Sequence, residues 1–260
     1  MFVFSEGIMI PTLYSDDFLI DYPTVDCENP DRVGAVVPLI SDIAEFIEPE
    51  PCSVDDLSLC HSDSIIKLVQ KNSTVYGVAV KAVGGAIRAA EIGLEKPAFA
   101  LIRPPGHHAG TNFNGGFCFF NNMAIAIKRL LSQGRIKKAL IVDIDLHYGN
   151  GTEDIVNEDS RIAFRNIDSN RREDLLADLE EALKDAGNFD IVGCSAGFDT
   201  YIHDWGSILL TEDFESIGKM FVKANPHFFA ILEGGYYIPD LGKNVRAFLK
   251  GMIESTKYNG

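Results

Sequence analysis

The sequence predicts an α/β protein in which helices flank both faces of a mostly parallel β-sheet. Short apolar runs alternate along the chain with longer segments of helical periodicity. Most of these runs are apolar at nearly every position, which is typical of strands that are covered on both faces. The chain has 260 residues, of which 46% are hydrophobic, so it can build one sizeable core.

The individual elements follow from these patterns. The predicted strands are Ala98–Ile102, Ala139–Ile144, Arg161–Phe164, Phe189–Cys194 and Phe228–Leu232. The predicted helices are Val75–Ile92, Asn121–Ser132, Arg171–Asp185, Thr211–Ala224 and Leu241–Glu254. Pro97 and Gly134 follow two of these helices and indicate where they end. No repeat, low-complexity tract or linker interrupts the pattern, which favours a single domain over residues 1–260.

Charge and cysteine content limit the function classes. The formal net charge is −15, and because an acidic surface repels phosphates, the sequence argues against nucleic-acid binding. The five cysteines form no Cys-x-x-Cys pair, which favours a reducing cytoplasm over a disulfide framework. The N-terminal stretch has no basic region, so it is not expected to be a signal peptide. No apolar run reaches the ~18 residues that indicate a membrane span.

Polar motifs directly follow four of the predicted strands. They are RPPGHH (103–108), DLHYGNG (145–151), SAGFDTY (195–201) and EGGYY (233–237). Open α/β sheets bind ligands at the carboxyl ends of their strands. Segments that are distant in sequence are therefore expected to converge on one crevice.

Asp145, His147 and Asp199 are the candidate metal ligands within these motifs. Two carboxylates and one imidazole make an open zinc site, with a fourth position left for water or substrate. Asp145 and His147 are two residues apart, so both project to the same side of an extended segment. The same mixture of oxygen and nitrogen ligands also accepts Fe²⁺ or Co²⁺.

The adjacent histidines His107 and His108 are candidate acid–base groups. One can take a proton from water and return it to a leaving amine. Its neighbour can stay oriented and cationic if a carboxylate holds its far nitrogen. Asp143 is the candidate partner of His107, and Asn150 is the candidate partner of His108.

Tyr236 is the candidate group that stabilises an oxyanion, and Tyr237 competes for the role. A tyrosine hydroxyl in this position can donate to the oxygen of a tetrahedral intermediate. Taken alone, a tyrosine after two glycines is more often structural.

The candidate substrate-binding residues are Gly234 and Gly235 before this tyrosine, and Gly116 and Phe117 in an earlier motif. Glycines let the backbone approach a ligand closely. A glycine pair followed by a phenylalanine indicates a narrow pocket wall with one aromatic side.

Together, these blocks resemble the histone deacetylase and acetylpolyamine amidohydrolase superfamily. The shared motifs are RPPGHHA, GFCFFNN, DIDLHYGNGT, SAGFDTY and LEGGY, in the order the family has them. The likeness runs from about Pro23 to Lys250, and the combination is highly specific. It implies the arginase–deacetylase fold, with a parallel sheet of about eight strands flanked by helices.

The resemblance also implies a role for each site residue. The family's zinc ligands fall on Asp145, His147 and Asp199, its tandem histidines on His107 and His108, its orienting acid on Asp143, its transition-state tyrosine on Tyr236 and its tunnel phenylalanine on Phe117. His108 is then the expected general base and acid. The family also implies a structural potassium ion beside the zinc, held by backbone oxygens near the Asp-x-Asp-x-His segment, with Asp143, Asp145 and His147 contributing.

The chain departs from the family at several positions. Tyr148 stands where a second histidine is common, Asn150 replaces an aspartate found in one branch, and Asp204-Trp205-Gly206 stands for Asp-Pro-Leu. The largest departure follows Phe164, where RNIDSNRRED leads almost directly into a helix and a long glycine-rich loop is missing. That loop carries a second aromatic tunnel wall in the family. The site is therefore expected to be wider, shallower or completed by another subunit.

The resulting prediction is a cytoplasmic, zinc-dependent deacetylase that acts on a small acylated amine, such as acetyl-lysine or an acetylpolyamine. One alternative is a non-catalytic binder of acylated amines, which the shortened loop motivates. Another is a two-metal, ureohydrolase-like enzyme, which Asp143 beside Asp145 could invite. The retained acid–base residues argue against the first, and the lack of a second histidine and aspartate set argues against the other. The sequence does not reveal the amine, or whether the protein forms an oligomer.

Overall fold

A computed structural model describes residues 8–256. Residues 1–7, where the segment assessed for a signal peptide begins, and residues 257–260 lie outside the described part. The strands are β1 (Ile10–Leu13), β2 (Ala44–Ile47), β3 (Ala98–Ala100), β4 (Ala139–Asp143), β5 (Ile162–Asn166), β6 (Ile191–Ala196) and β7 (Phe228–Leu232). The α-helices are α1 (Asp31–Gly34), α2 (Val37–Ile40), α3 (Val54–Leu57), α4 (Asp63–Gln70), α5 (Ser73–Gly93), α6 (Asn122–Ser132), α7 (Asn150–Val156), α8 (Arg172–Leu183), α9 (Thr211–Ala224) and α10 (Ile238–Thr256).

The seven strands form one parallel sheet in the order β2-β1-β3-β7-β6-β4-β5. The predicted α/β class with a parallel sheet is therefore confirmed. The strand count differs slightly: the resemblance implied about eight strands, whereas the described residues form seven.

The predicted central strands and long helices are present, with bounds shifted by a few residues. The strand predicted at Phe189–Cys194 runs over Ile191–Ala196. The sequence patterns did not predict β1 and β2, each of which has four residues. Pro11 lies within β1, and the middle residues of β2, Glu45 and Phe46, are exposed. Neither segment therefore shows the long apolar run of a strand that is buried on both faces.

The core lies on both faces of the sheet. All residues of β4, β6 and β7 are buried. α5 packs against β1, β3 and β7 and against α6, while α9 packs against α10, which also contacts β1. Because the faces are covered in this way, the strand ends are the natural place for polar groups. Within residues 8–256, no helix is both long and apolar enough to cross a membrane.

α9 and α10 approach each other closely at two glycines. A Cβ atom at Gly251 would lie 2.0 Å from the carbonyl oxygen of Glu215, and one at Gly218 would lie 2.2 Å from that of Phe248. Such distances are far inside van der Waals contact, so the two backbones can pack only because both positions lack a side chain.

We expect Gly251→Ala to lower the free energy of unfolding by ~1–3 kcal/mol, because the added methyl group overpacks the contact between α9 and α10. The matched control is Gly77→Ala in α5, where an added Cβ meets nothing within 4 Å. That change is expected to stabilise the protein by up to ~1 kcal/mol through helix propensity. Urea unfolding of both variants measures the two effects, and equal shifts would contradict the packing argument.

Candidate active site and metal centre

Four adjacent strands bring the polar motifs together. β3, β7, β6 and β4 are neighbours in the sheet, and because they are parallel their carboxyl ends share one edge. The segments that follow them supply His107 and His108, Tyr236, Asp199, and Asp145 with His147, respectively. The fold thus places the sequence-predicted side chains around one crevice.

Asp145, His147 and Asp199 form a compact cluster. One potential ligand atom from each lies within 4.8 Å of the others. His147 Nδ1 is 3.0 Å from Asp199 Oδ2 and 3.2 Å from Asp145 Oδ1. The residues after β4 bend instead of continuing the strand, so the convergence comes from this bend and not from the extended geometry that the sequence analysis assumed.

The chemistry of this cluster fits a divalent cation. Asp199 Oδ2 is buried and lies 3.0 Å from His147 Nδ1, yet it accepts no hydrogen bond from this or any other described residue. A buried carboxylate oxygen without a partner is unfavourable, and here the carboxylate of Asp145 lies nearby. Two carboxylates and one imidazole that converge in this way match an open zinc-type ligand set. A bound metal ion would offset the repulsion between these two buried carboxylates.

Backbone amides hold the remaining carboxylate oxygens. Gly234 N donates to Asp145 Oδ2 at 2.8 Å, and His147 N donates to Asp145 Oδ1 at 2.9 Å. Leu146 N donates to Asp199 Oδ1 at 3.1 Å. Burial raises the pKa of Asp199 to about 7, and the charge of Asp145 adds to this effect. The fold therefore orients both acids, and His147 compensates only part of their mutual repulsion.

His107 and His108 lie side by side, with ring centroids 4.0 Å apart. Asp143 Oδ2 accepts from His107 Nδ1 at 3.0 Å, and Asn150 Oδ1 accepts from His108 Nδ1 at 2.7 Å, as the sequence analysis anticipated. Burial opposes a charge on His107, but the carboxylates of Asp145 and Asp143 outweigh it and raise the pKa well above its usual value. Burial and the charge of His107 lower the pKa of His108. One ring is therefore held cationic and its neighbour neutral.

Tyr236 is fixed by neighbours around its ring. Trp205 stacks on it, with centroids 4.2 Å apart and an interplanar angle of 21°. The guanidinium of Arg32 lies over the Tyr236 ring, 4.7 Å from the centroid. Because the indole of Trp205 covers one face of this ring, Arg32 covers the opposite face. Phe117 meets the ring edge-on at 5.9 Å. Burial raises the pKa of the Tyr236 hydroxyl, so this group stays protonated and able to donate.

Asp204 anchors this arrangement, although the sequence marks it, together with His203, only as a weak candidate near the mouth of the site. Its Oδ2 accepts from the backbone amides of Tyr236 at 2.6 Å and Tyr237 at 2.7 Å, and its Oδ1 accepts from Trp205 N at 2.8 Å. The Tyr237 ring packs on Tyr201 instead of on the ligand cluster. The geometry thus favours Tyr236 over Tyr237 as the oxyanion donor. The available signal was a lone acid shortly after the third candidate ligand.

The predicted glycines shape the crevice walls. A Cβ at Gly116, where φ is +54°, would lie 2.1 Å from His108 Cδ2. A Cβ at Gly234 would lie 2.7 Å from Asp199 Oδ2. Gly235 has a φ of +126°. Side chains at Gly116 and Gly234 would collide with the acid–base pair or with the ligand cluster.

Glu233 is a buried acid that the sequence analysis missed. Its Oε2 accepts from Gly106 N at 2.7 Å and His107 N at 3.2 Å, while Oε1 has no partner among the described residues. His107, Cys118 and Glu233 also bring potential ligand atoms within 4.8 Å of one another. However, burial holds the pKa of the Cys118 thiol well above its usual value, and a thiol ligates poorly unless it is deprotonated. The available signal was one charged residue directly after an apolar strand.

Comparison with known proteins identifies the family. Residues 26–172 match the histone deacetylase domain. A probable deacetylase of Methanothermobacter thermautotrophicus is 30% identical, and the alignment covers 86% of this chain and 85% of that protein. The chain therefore belongs to the histone deacetylase family, as its motifs led us to expect.

Further relatives extend this result. An acetylpolyamine amidohydrolase of Mycoplana ramosa is 34% identical over 194 residues, which are 60% of this chain and 57% of that protein. The crystal structure of an acetylpolyamine aminohydrolase from Burkholderia pseudomallei matches with a TM-score of 0.84 at 19% identity, covering 95% of this chain and 99% of that one. The HDA15 HD domain gives the same TM-score at 22% identity, covering 95% and 88%. These two structures establish the fold.

The ligand cluster predicts a measurable dependence on metal. Zn²⁺ added to metal-free protein is expected to raise the melting temperature, because a ligand that binds only the folded state stabilises it. Asp199→Asn should weaken Zn²⁺ binding by at least ~10-fold, since even outer partners of a metal site contribute that much. Calorimetric titration measures both affinities. The control is His227→Ala, an exposed histidine before the amino end of β7. Equal Zn²⁺ affinity in wild type and Asp199→Asn would contradict the assignment.

Proposed function

We propose that the protein is a metal-dependent amidohydrolase that removes an acetyl group from an amine, such as an acetyl-lysine side chain or an acetylpolyamine. The observation that carries this proposal is the convergence of three candidate metal ligands, an adjacent histidine pair and a tyrosine at one sheet edge. Membership of the histone deacetylase family supports it, as does the likeness to acetylpolyamine amidohydrolases.

Asp145, His147 and Asp199 would hold the divalent ion, for which we propose zinc, with Fe²⁺ or Co²⁺ as substitutes that the same ligands accept. When bound, the ion supplies Lewis acidity toward the acyl carbonyl and the attacking water. A structural potassium ion beside Asp143, Asp145 and His147 is proposed on the family resemblance.

His108 is the proposed general base. Asn150 Oδ1 accepts the hydrogen bond from Nδ1 of His108, which fixes the neutral tautomer with its proton on Nδ1. Nε2 then keeps a free lone pair. It takes the proton from water as the water oxygen bonds to the acyl carbon. The lowered pKa of His108 keeps this ring neutral before reaction.

His107 and Asp143 form the supporting pair. Asp143 Oδ2 accepts from Nδ1 of His107, and its Oδ1 accepts from Asp145 N at 3.0 Å. Both oxygens of the Asp143 carboxylate are therefore engaged, which counts against their holding a second divalent ion. The proposed potassium ion would instead use backbone oxygens of this segment. The cationic His107 contributes positive charge next to the site where negative charge develops.

Tyr236 is the proposed oxyanion donor. Its protonated hydroxyl donates to the carbonyl oxygen as charge builds on it. The tetrahedral intermediate then collapses: His108 Nε2–H gives its proton to the amine nitrogen, the carbon–nitrogen bond breaks, and acetate and the free amine leave. Because neighbours hold the Tyr236 ring, the donor is in place before the substrate binds.

We also propose a small acylated amine as substrate and the cytoplasm as the location. The net charge of −15 supports a ligand that is not anionic and argues against nucleic acid as a partner. The five cysteines are free, which supports a reducing compartment.

Loss of the acid–base group or of the oxyanion donor should abolish most of the activity. His108→Ala and Tyr236→Phe are each expected to slow acetate release at least ~100-fold, the usual contribution of one such group. Acetate is measured from acetyl-lysine peptides and acetylpolyamines with protein of known metal content. His227→Ala serves as the control. Absence of turnover by metal-loaded wild type would instead favour a non-catalytic binder of acylated amines.

The acid side of the pH profile should respond to the partner of His108. Asn150→Asp places a carboxylate against Nδ1, and an opposite charge at this distance favours the protonated ring, so the pKa of His108 rises. Because His108 acts as a base only when neutral, the acid limb of kcat/KM is expected to move to higher pH. Asn157→Asp, an exposed position at the end of α7, adds the same charge without this contact. An acid limb that stays in place in Asn150→Asp would count against His108 as the base.

A further inference from the structure

Trp205 lies beside the reacting groups, and the proposed mechanism gives it no part. It is the single tryptophan of the chain, and 51% of its surface is exposed. Its ring stacks on Tyr236 and meets His147 edge-on, with centroids 5.8 Å apart and planes at 90°. The indole therefore contacts both the oxyanion donor and a metal-ligand candidate.

This position places Trp205 on the path of the substrate. An acyl carbonyl bound between the ligand cluster and Tyr236 must extend its amine portion past the residues that flank both. Trp205 is such a residue. Tyr236 covers one face of the indole, yet half of the residue's surface remains exposed. We infer from this exposure that the indole keeps accessible ring surface, called its open face below, at the crevice mouth.

The open face of the indole is suited to a positive charge. Indole binds cations more strongly than the rings of tyrosine and phenylalanine do. Within residues 8–256, the arginines that lie over aromatic rings contact Tyr236, Tyr22 and Phe189, so Trp205 carries no such cation of the protein itself. The acidic chain also attracts cationic ligands in general.

The indole is also held in place before any ligand arrives. Asp204 Oδ1 accepts from the backbone amide of Trp205, and the same side chain binds the backbone of Tyr236. The next residue, Gly206, packs so closely that a Cβ would lie 2.8 Å from the Cα of Thr200. A surface ordered in this way loses less conformational entropy on binding.

We propose that the open face of Trp205 binds the amine end of the substrate and selects acylated amines that carry a second, positively charged nitrogen. This inference rests on the proposed function, since the acyl group must occupy the space between the ligand cluster and Tyr236. It assigns Trp205 a role in substrate selection that is separate from its contact with Tyr236.

Two probes of equal length test the proposal. N-acetyl-1,4-diaminobutane carries a terminal ammonium, and N-pentylacetamide carries a methyl group at the same place. Metal-loaded wild type is expected to favour the cationic probe in kcat/KM by about 3- to 30-fold, the range that a cation–π contact supports. Trp205→Leu should lose most of this preference, whereas Trp205→Phe should keep part of it.

Phe46→Leu is the matched control, because Phe46 is an exposed aromatic residue on β2. It should leave the preference and the rate unchanged. Trp205→Leu is also expected to slow turnover of both probes to some extent, because it removes the indole that covers one face of the Tyr236 ring. An unchanged ratio between the probes in Trp205→Leu, whatever its kcat, would overturn the selective role.

Fluorescence separates this inference from the proposed function. Trp205 is the chain's single tryptophan, so its emission reports events at this position. In metal-loaded His108→Ala, where turnover is blocked, the cationic probe should change the emission and saturate at a lower concentration than the neutral probe. Wild type that releases no acetate from either probe would refute the hydrolase and leave this binding test valid. Equal affinities, or no change in emission, would refute the subsite.

Discussion

The rest of the site depends on two buried carboxylates and on how their charge is compensated. Asp145 and Asp199 lie at the ends of adjacent strands of one parallel sheet, and both are almost fully enclosed. Unpaired buried charge is unfavourable by several kilocalories per mole, so the surroundings must compensate it. Backbone amides, one of them from Gly234, satisfy three of the four oxygens. Asp199 Oδ2 accepts no hydrogen bond, although His147 Nδ1 lies 3.0 Å away. The fold thus builds a place where a cation is stabilising, which is the physical basis of a metal centre.

The same negative charges give the two histidines different protonation preferences. His107 faces carboxylates, whereas His108 faces the neutral amide of Asn150. Adjacent rings of one residue type therefore acquire opposite tendencies: one is held charged and the other neutral. Glu233 accepts from the backbone of His107 and contributes further negative charge beneath it. A ring that favours the neutral form beside one that favours the charged form suits the general-base role proposed for His108.

The fold class and the convergence of the site could be predicted because both leave strong local signals. Apolar strands that end in polar motifs indicate a parallel sheet, and the order β3-β7-β6-β4 brings those ends together. The short strands β1 and β2 carry no such signal. Sequence also could not reveal residues that act through packing. Nothing in the sequence around Arg32 indicates that its guanidinium covers a face of Tyr236, a residue near the other end of the chain. Asp204 keeps the aspartate of the family's Asp-Pro-Leu motif, but its three backbone contacts depend on how the loop folds and leave no local signal.

The match to the histone deacetylase domain ends at residue 172, yet Asp199 and Tyr236 lie beyond it. Their contribution depends on tertiary contacts that reach back to the start of the chain. Arg32 is fully buried, donates from Nε to the carbonyl of Gly235 at 2.7 Å, and also donates to the carbonyl of Glu233. The helix that carries Arg32 is therefore tied to the loop that carries the proposed oxyanion donor. Trp205, supplied by the loop after β6, closes the other face of Tyr236. Three segments that are remote in sequence must fold together before that hydroxyl has a defined position, so its placement is a property of the whole sheet edge and not of the motif in which it occurs.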